Sequence, residues 1–135
     1  MDVRLVEVNE KGLLGEFIRF PYHHYRLDKN FVPPLLGEQT KVLSEERNHF
    51  WNTADRKLFL AFDGSKKFSR VIGRIAAIVD HRFNEFYGEK TGYFGFFESE
   101  NHPDIAQALF DAATAWLKEQ GMTRVIGNLY LSVSN

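Results

Sequence analysis

Residues 92–122 read GYFGFFESENHPDIAQALFDAATAWLKEQGM, and two periodicities meet inside that stretch. From Gly92 to Glu98 the residues are mostly aromatic or glycine, which suits a pleated strand whose side chains go alternately to two faces. From Pro103 the period changes. Ile105, Ala108, Leu109, Ala112, Ala113, Trp116 and Leu117 fall on one helical stripe. Pro103 suits a first helical position and Gly121 suits the stop. Met122–Leu131 then reads as a final strand. A strand, an amphipathic helix and a second strand predict a crossover that lays the last strand parallel to the fourth.

Working back from there, Lys57–Phe62 alternates as a strand, Asp63–Lys67 reads as a hairpin turn, and Phe68–His81 reads as a long third strand. Val71, Gly73, Ile75, Ala77 and Val79 share one face of it, and Ile72, Arg74, Ala76 and Ile78 the other. Two apolar faces mark a central strand. Arg82–Thr91 reads as a loop. Near the start, Val3–Val8 reads as a first strand and Asn9–Gly12 as a turn. Leu13, Leu14, Phe17 and Ile18 form a helical stripe that Pro21 is expected to end or kink, because it has no N–H and crowds the preceding turn. Tyr22–Leu27 reads as a further helical turn restarted by Pro21. Phe31–Leu36 is expected to be extended, since Pro33 and Pro34 restrict the residues before them. A short helix near Glu38–Leu43 and a loop over Glu45–Asn52 complete the pass. The fold class that follows is α/β (α+β): one domain over residues 1–135, with a mixed, mostly antiparallel sheet flanked by helices.

Composition removes several functional classes. With 17 basic and 18 acidic residues the formal charge is −1, without the basic excess that phosphate neutralisation demands, so no nucleic-acid partner is expected. There is no cysteine, hence no disulfide, thiol nucleophile or thiolate metal site. The start of the chain lacks the layout of a signal peptide, and the Val71–Val79 apolar run is short and broken by Arg74. A cytoplasmic location with no membrane partner is therefore expected. His23 and His24 are adjacent and point apart on a helix, which makes a poor metal pair, so no metal is expected. Aromatics reach 15%, with 13 Phe, implying a core of packed rings or an apolar surface covered by a partner.

Word-level features carry a resemblance. Phe17–Leu36 reads FIRFPYHHYRLDKNFVPPLL, followed in order by Gly73–Ala77 (GRIAA), Gly92–Glu98 (GYFGFFE) and Ala115–Met122 (AWLKEQGM). Together with the order of elements, the chain resembles a bacterial family of GNAT-like (N-acetyltransferase-like) proteins over nearly its whole length from Phe17. The resemblance implies an acyl-CoA N-acyltransferase fold, with acetyl-CoA or another acyl-CoA as cofactor and an amine as acceptor. It places acyl-CoA in a gap where the fourth and fifth strands splay. Phe96 and Phe97 become candidate backbone-amide donors to a thioester carbonyl. Ser99 and Asn101 sit in the Ser99–Asp104 segment where the family cradles the pyrophosphate.

Two features depart from that pattern. Ser99–Asp104 holds no glycine and no basic residue, while Glu98, Glu100 and Asp104 surround the helix start with negative charge, which repels phosphate. The sequence given ends at Asn135, just after the expected fifth strand, so the resemblance implies an incomplete sheet. An edge over Gly127–Ser134 would invite pairing, and a homodimer is expected.

Glu98 ends the fourth strand, where GNAT enzymes place a general base, and Tyr25 is a candidate proton donor. The plainer accounts are an exposed strand-end acid or a helix-capping acid for Glu98, and a packed tyrosine for Tyr25. Arg74, inside an apolar strand, needs a carboxylate or backbone carbonyls; a structural ion pair is the favoured account. Two functions follow: acyl transfer from acyl-CoA to an amine, or a non-catalytic binding or dimerisation module on a degenerate GNAT-like fold.

Overall fold

Among the described residues, five strands and four α-helices follow one another in the order β1 (Val3–Glu7), α1 (Lys11–His24), α2 (Leu36–Leu43), β2 (Ala54–Asp63), β3 (Val71–Asp80), α3 (His81–Tyr87), β4 (Thr91–Ser99), α4 (Pro103–Glu119) and β5 (Arg124–Leu129), with a 3-10 turn at His49–Asn52. The computed structural model describes residues 1–65 and 70–129. Lys66 and Lys67 of the expected hairpin turn, Phe68 at the expected start of the third strand, and the expected end of the last strand beyond Leu129, with its edge to Ser134, lie outside the described residues. Strand order in the sheet is β1-β2-β3-β4-β5. The first three pairings are antiparallel and β4–β5 is parallel, as the crossover predicted.

One layer of core lies under α4. Ile105, Leu109, Ala113 and Leu117, spaced four apart, are buried against Phe59, Ala61, Ile75, Ala77 and Val79. The helix seats close to the strand backbone. A Cβ on Gly92 would come within 2.6 Å of Leu117 Cδ2, so a side chain there would force Leu117 to shift in the core. The opposite layer joins Phe17 and Ile18 of α1 to Leu58, Leu60, Ala76 and Ile78, with Leu43 and Trp51 closing it. The aromatic run of β4 is therefore covered on both sides by the chain's own helices. Each fully buried leucine or isoleucine contributes about 1.5–3 kcal/mol of apolar burial.

Three expectations change. First, α1 does not stop at Pro21; it starts at Lys11, runs through the proline to His24, and the Tyr25 N–H bonds the Pro21 carbonyl at 2.9 Å. A proline at that place cannot bond the carbonyl four residues back and pushes it aside. That carbonyl belongs to Phe17, and it accepts instead from Arg74 Nη1 at 2.7 Å. Second, the expected loop from Arg82 is mostly helix α3. Its ends were written in local chemistry: the Asp80 side chain accepts from Phe83 N–H, and Gly88 takes a left-handed conformation (φ 64°) at the stop. Seven residues are too few for a periodicity to show. Third, Leu36 opens α2 rather than closing the extended segment.

Strand β4 carries a bulge. Arg74 pairs with Glu98 and Ala76 with Gly95, so Ile75 faces both Phe96 and Phe97. Phe96 adopts φ 55°, a left-handed conformation that non-glycine residues rarely take. One extra residue changes the alternation: Tyr93 and Phe96 join the α1-side core, and Phe94 and Phe97 the α4 side. By the same count Glu98 is delivered to the α1 face.

Candidate active site

The bulge and the proline converge on one place. Tyr25, the residue that follows α1, donates its phenol to Glu98 Oε2 at 2.5 Å, joining positions 73 residues apart. Tyr25 is stacked on Phe31 (ring centroids 4.8 Å, interplanar angle 18°) and meets His24 edge-on. Tyr22, three residues back, donates to the Pro34 carbonyl at 2.5 Å. The two tyrosines thus pin the extended Phe31–Leu35 segment beside the end of β4. The hydrogen bond to Glu98, followed by burial, pushes the Tyr25 phenol up to about 12. It keeps its proton through the physiological range and acts as a donor. Burial also raises Tyr22.

Arg74 lies across from Glu98 in the β3–β4 register. It is only 6% exposed, and its guanidinium lies over the rings of Phe17 (5.0 Å) and Phe96 (5.6 Å). Burial lowers it to about 10, against the opposing pull of Glu98, so it stays charged at neutral pH. The expected ion pair is not a contact pair: no carboxylate oxygen lies within 4.0 Å of it among the described residues, its hydrogen bond goes to the Phe17 carbonyl, and its Nε has no partner. Sequence reasoning singled out Glu98, Tyr25 and Arg74 separately. The signal for their meeting was the spacing from Phe17 to Pro21, the place where a helix loses a donor.

The remaining candidates sit along and beyond the bulge. Phe96 and Phe97 form it. The β4–β5 ladder runs from Thr91↔Arg124 to Gly95↔Leu129, with a shift between Phe94 and Gly95. A Cβ on Gly95 would meet the Leu129 carbonyl oxygen at 2.7 Å, so glycine is required where the two backbones approach. Beyond that pair the course of the fifth strand lies outside the described residues. Ser99 Oγ donates to the Glu100 carbonyl at 3.0 Å, and Asn101 is exposed in the following bend.

The acidic turn is less bare than its sequence implies. Glu100 is held by a two-pronged contact from Arg70, and Asp104 lies 3.2 Å from the Met1 ammonium. The start of α4 is already occupied: Pro103 has no N–H, the Asp104 N–H bonds His102 Nδ1 at 3.1 Å, and the Ile105 N–H bonds the His102 carbonyl at 3.1 Å. A histidine, not a carboxylate, caps this helix. Among the described residues no group of three or more His, Asp or Glu stands ready for a metal ion, and no helix is long and apolar enough to cross a membrane.

No family model matches the sequence. The chain is 36% identical over 124 residues to Protein YghO of Escherichia coli strain K12, covering 92% of this chain and 30% of that protein. It is 33% identical over 134 residues to a bacterial ceramide synthase of Caulobacter vibrioides, covering 98% of this chain and 34% of that one. The chain thus spans about a third of the length of the curated relatives it matches. Among solved structures, an acetyltransferase of the GNAT family from Staphylococcus aureus Mu50 superposes with a TM-score of 0.60 at 16% identity, covering 90% of this chain and 69% of that one. Strand order, the parallel β4–β5 pair, the β4 bulge and that superposition together give the chain the fold of the GNAT acetyltransferases.

Proposed function

We propose that the chain carries the base-bearing part of an acyl-CoA-dependent N-acyltransferase, with Glu98 as general base. The observation that carries this reading is the Tyr25–Glu98 hydrogen bond set beside the β4 bulge. In the step envisaged, the nitrogen lone pair of an amine attacks the thioester carbonyl carbon. The C–N bond forms, the C–S bond breaks, and the amine proton passes to the Glu98 carboxylate, directly or through a water. The sulfur leaves as the thiolate and regains a proton as the coenzyme A thiol. Backbone amides of Phe96 and Phe97 serve the developing oxyanion, and Ser99 and Asn101 lie toward the cofactor's phosphate end. Tyr25, holding its proton up to about pH 12, orients the carboxylate. The ceramide synthase relative supports a long-chain amino alcohol as acceptor, since ceramide is an amide of one.

The test is direct. The chain is incubated with acetyl-CoA or a long-chain acyl-CoA and a long-chain amino alcohol, and the amide and free thiol are measured together. Stoichiometric appearance of both is expected; release of thiol without amide, or of neither, contradicts the reading. A second reading, a non-catalytic binding or homodimer module joined through β5, is favoured by the occupied amides at the start of α4. It predicts no acyl-CoA binding by calorimetry and a dimer by light scattering.

A further inference from the structure

A guanidinium buried to 6% exposure in an apolar sheet is costly. Among the described residues Arg74 makes one side-chain hydrogen bond, to the Phe17 carbonyl, and its Nε makes none. An apolar side chain between the Phe17 and Phe96 rings would fill the same space at lower desolvation cost. What it would not supply is a positive charge opposite Glu98. The environment is arranged to receive that charge. Pro21 removes the helical donor of Phe17, which leaves a buried carbonyl for the guanidinium, and the bulge turns both Phe96 and Glu98 toward it.

We propose that Arg74 is the positioning residue of this site: its buried charge, across the strand pair from Glu98, holds that carboxylate in its hydrogen bond to Tyr25, and Pro21 makes its seat by freeing the Phe17 carbonyl. The assignment rests on the acyl-transfer reading only for its catalytic consequence. The groups that face the pair are few. Arg74 comes from β3, Tyr22 from α1, Tyr25 and the His24 ring from the end of α1, and Asp28 from the loop that follows. Arg74 is the cation among the groups that act on Tyr25, against Glu98 and Asp28. Its removal therefore leaves two acids and a phenol without the cation that faces Glu98 across the strand pair.

The Tyr25 phenol proton, assigned by its absence in Y25F, reports the pair without any turnover. In the native chain its downfield proton resonance is expected at neutral pH, where the phenol donates to Glu98. In R74M, and in R74Q, which keeps a donor for the Phe17 carbonyl, the resonance is lost or moves upfield at the same pH; in R74K, which keeps the charge, it stays near the native position. An unmoved resonance in R74M or R74Q overturns the proposal, as does an R74K resonance displaced as far as in the neutral variants. The rate of amide formation at one neutral pH should follow the same order. A native chain that forms no amide yet shows this pattern loses the transfer reading and keeps the Arg74 assignment. Amide formation with an unmoved resonance does the reverse.

Discussion

Arg74, Tyr25 and Glu98 are ordinary residue types made unusual by neighbours. A tyrosine that donates to a carboxylate becomes a weaker acid, and Tyr25 rises to about 12 from its usual 10. The sign of the linked stability is set by that direction. A group with a raised folded value contributes fully below its unfolded value, and that contribution fades as pH climbs through the folded one. The native chain should therefore exceed Y25F in stability below pH 10, and the gap should close between pH 10 and about 12. Urea unfolding of both at a series of alkaline pH values measures this; two curves that stay parallel across the window would show that the Tyr25–Glu98 bond contributes nothing.

Elements explain how those residues meet. The meander, the crossover and α4 were legible because their periodicities run for nine residues or more and because Pro103 and Gly121 mark the helix ends. Helix α3 was not legible: it is seven residues long and held by caps and by Asn84, which bonds both the N–H and the carbonyl of Thr91. The path of α1 through Pro21 was not legible either, since the donor that compensates it comes from β3, 53 positions on from the proline and 57 from Phe17. Glu98 and Tyr25 could each be picked out from sequence, but their contact needed the bulge, which no local pattern in GYFGFFE announces. The compensation at Pro21 makes a quantitative forecast. An interior proline costs about 3 kcal/mol relative to alanine when the freed carbonyl has no partner. With Arg74 already bonded to Phe17, P21A should change unfolding free energy by less than about 1 kcal/mol, by urea titration. A gain near the full penalty would mean that Arg74 does not satisfy that carbonyl.

For the molecule as a whole, fold and site point the same way while the start of α4 does not. The sheet, the bulge and the β4–β5 pairing are those of an acetyltransferase fold, yet the helix amides nearest Ser99 and Asn101 are already bonded to His102. A cofactor held here would rely on β4 and the strand beyond it more than on a phosphate cradle. The chain also spans about a third of its curated relatives, so the rest of such a protein has room to supply further contacts. The account stands on Glu98 as the base. The most direct test compares E98Q with the native chain for amide formation at saturating acyl-CoA and amine, with acyl-CoA affinity measured alongside. The account predicts a fall of about 10²–10⁴-fold in rate with cofactor affinity unchanged; a rate in E98Q equal to the native one would contradict it.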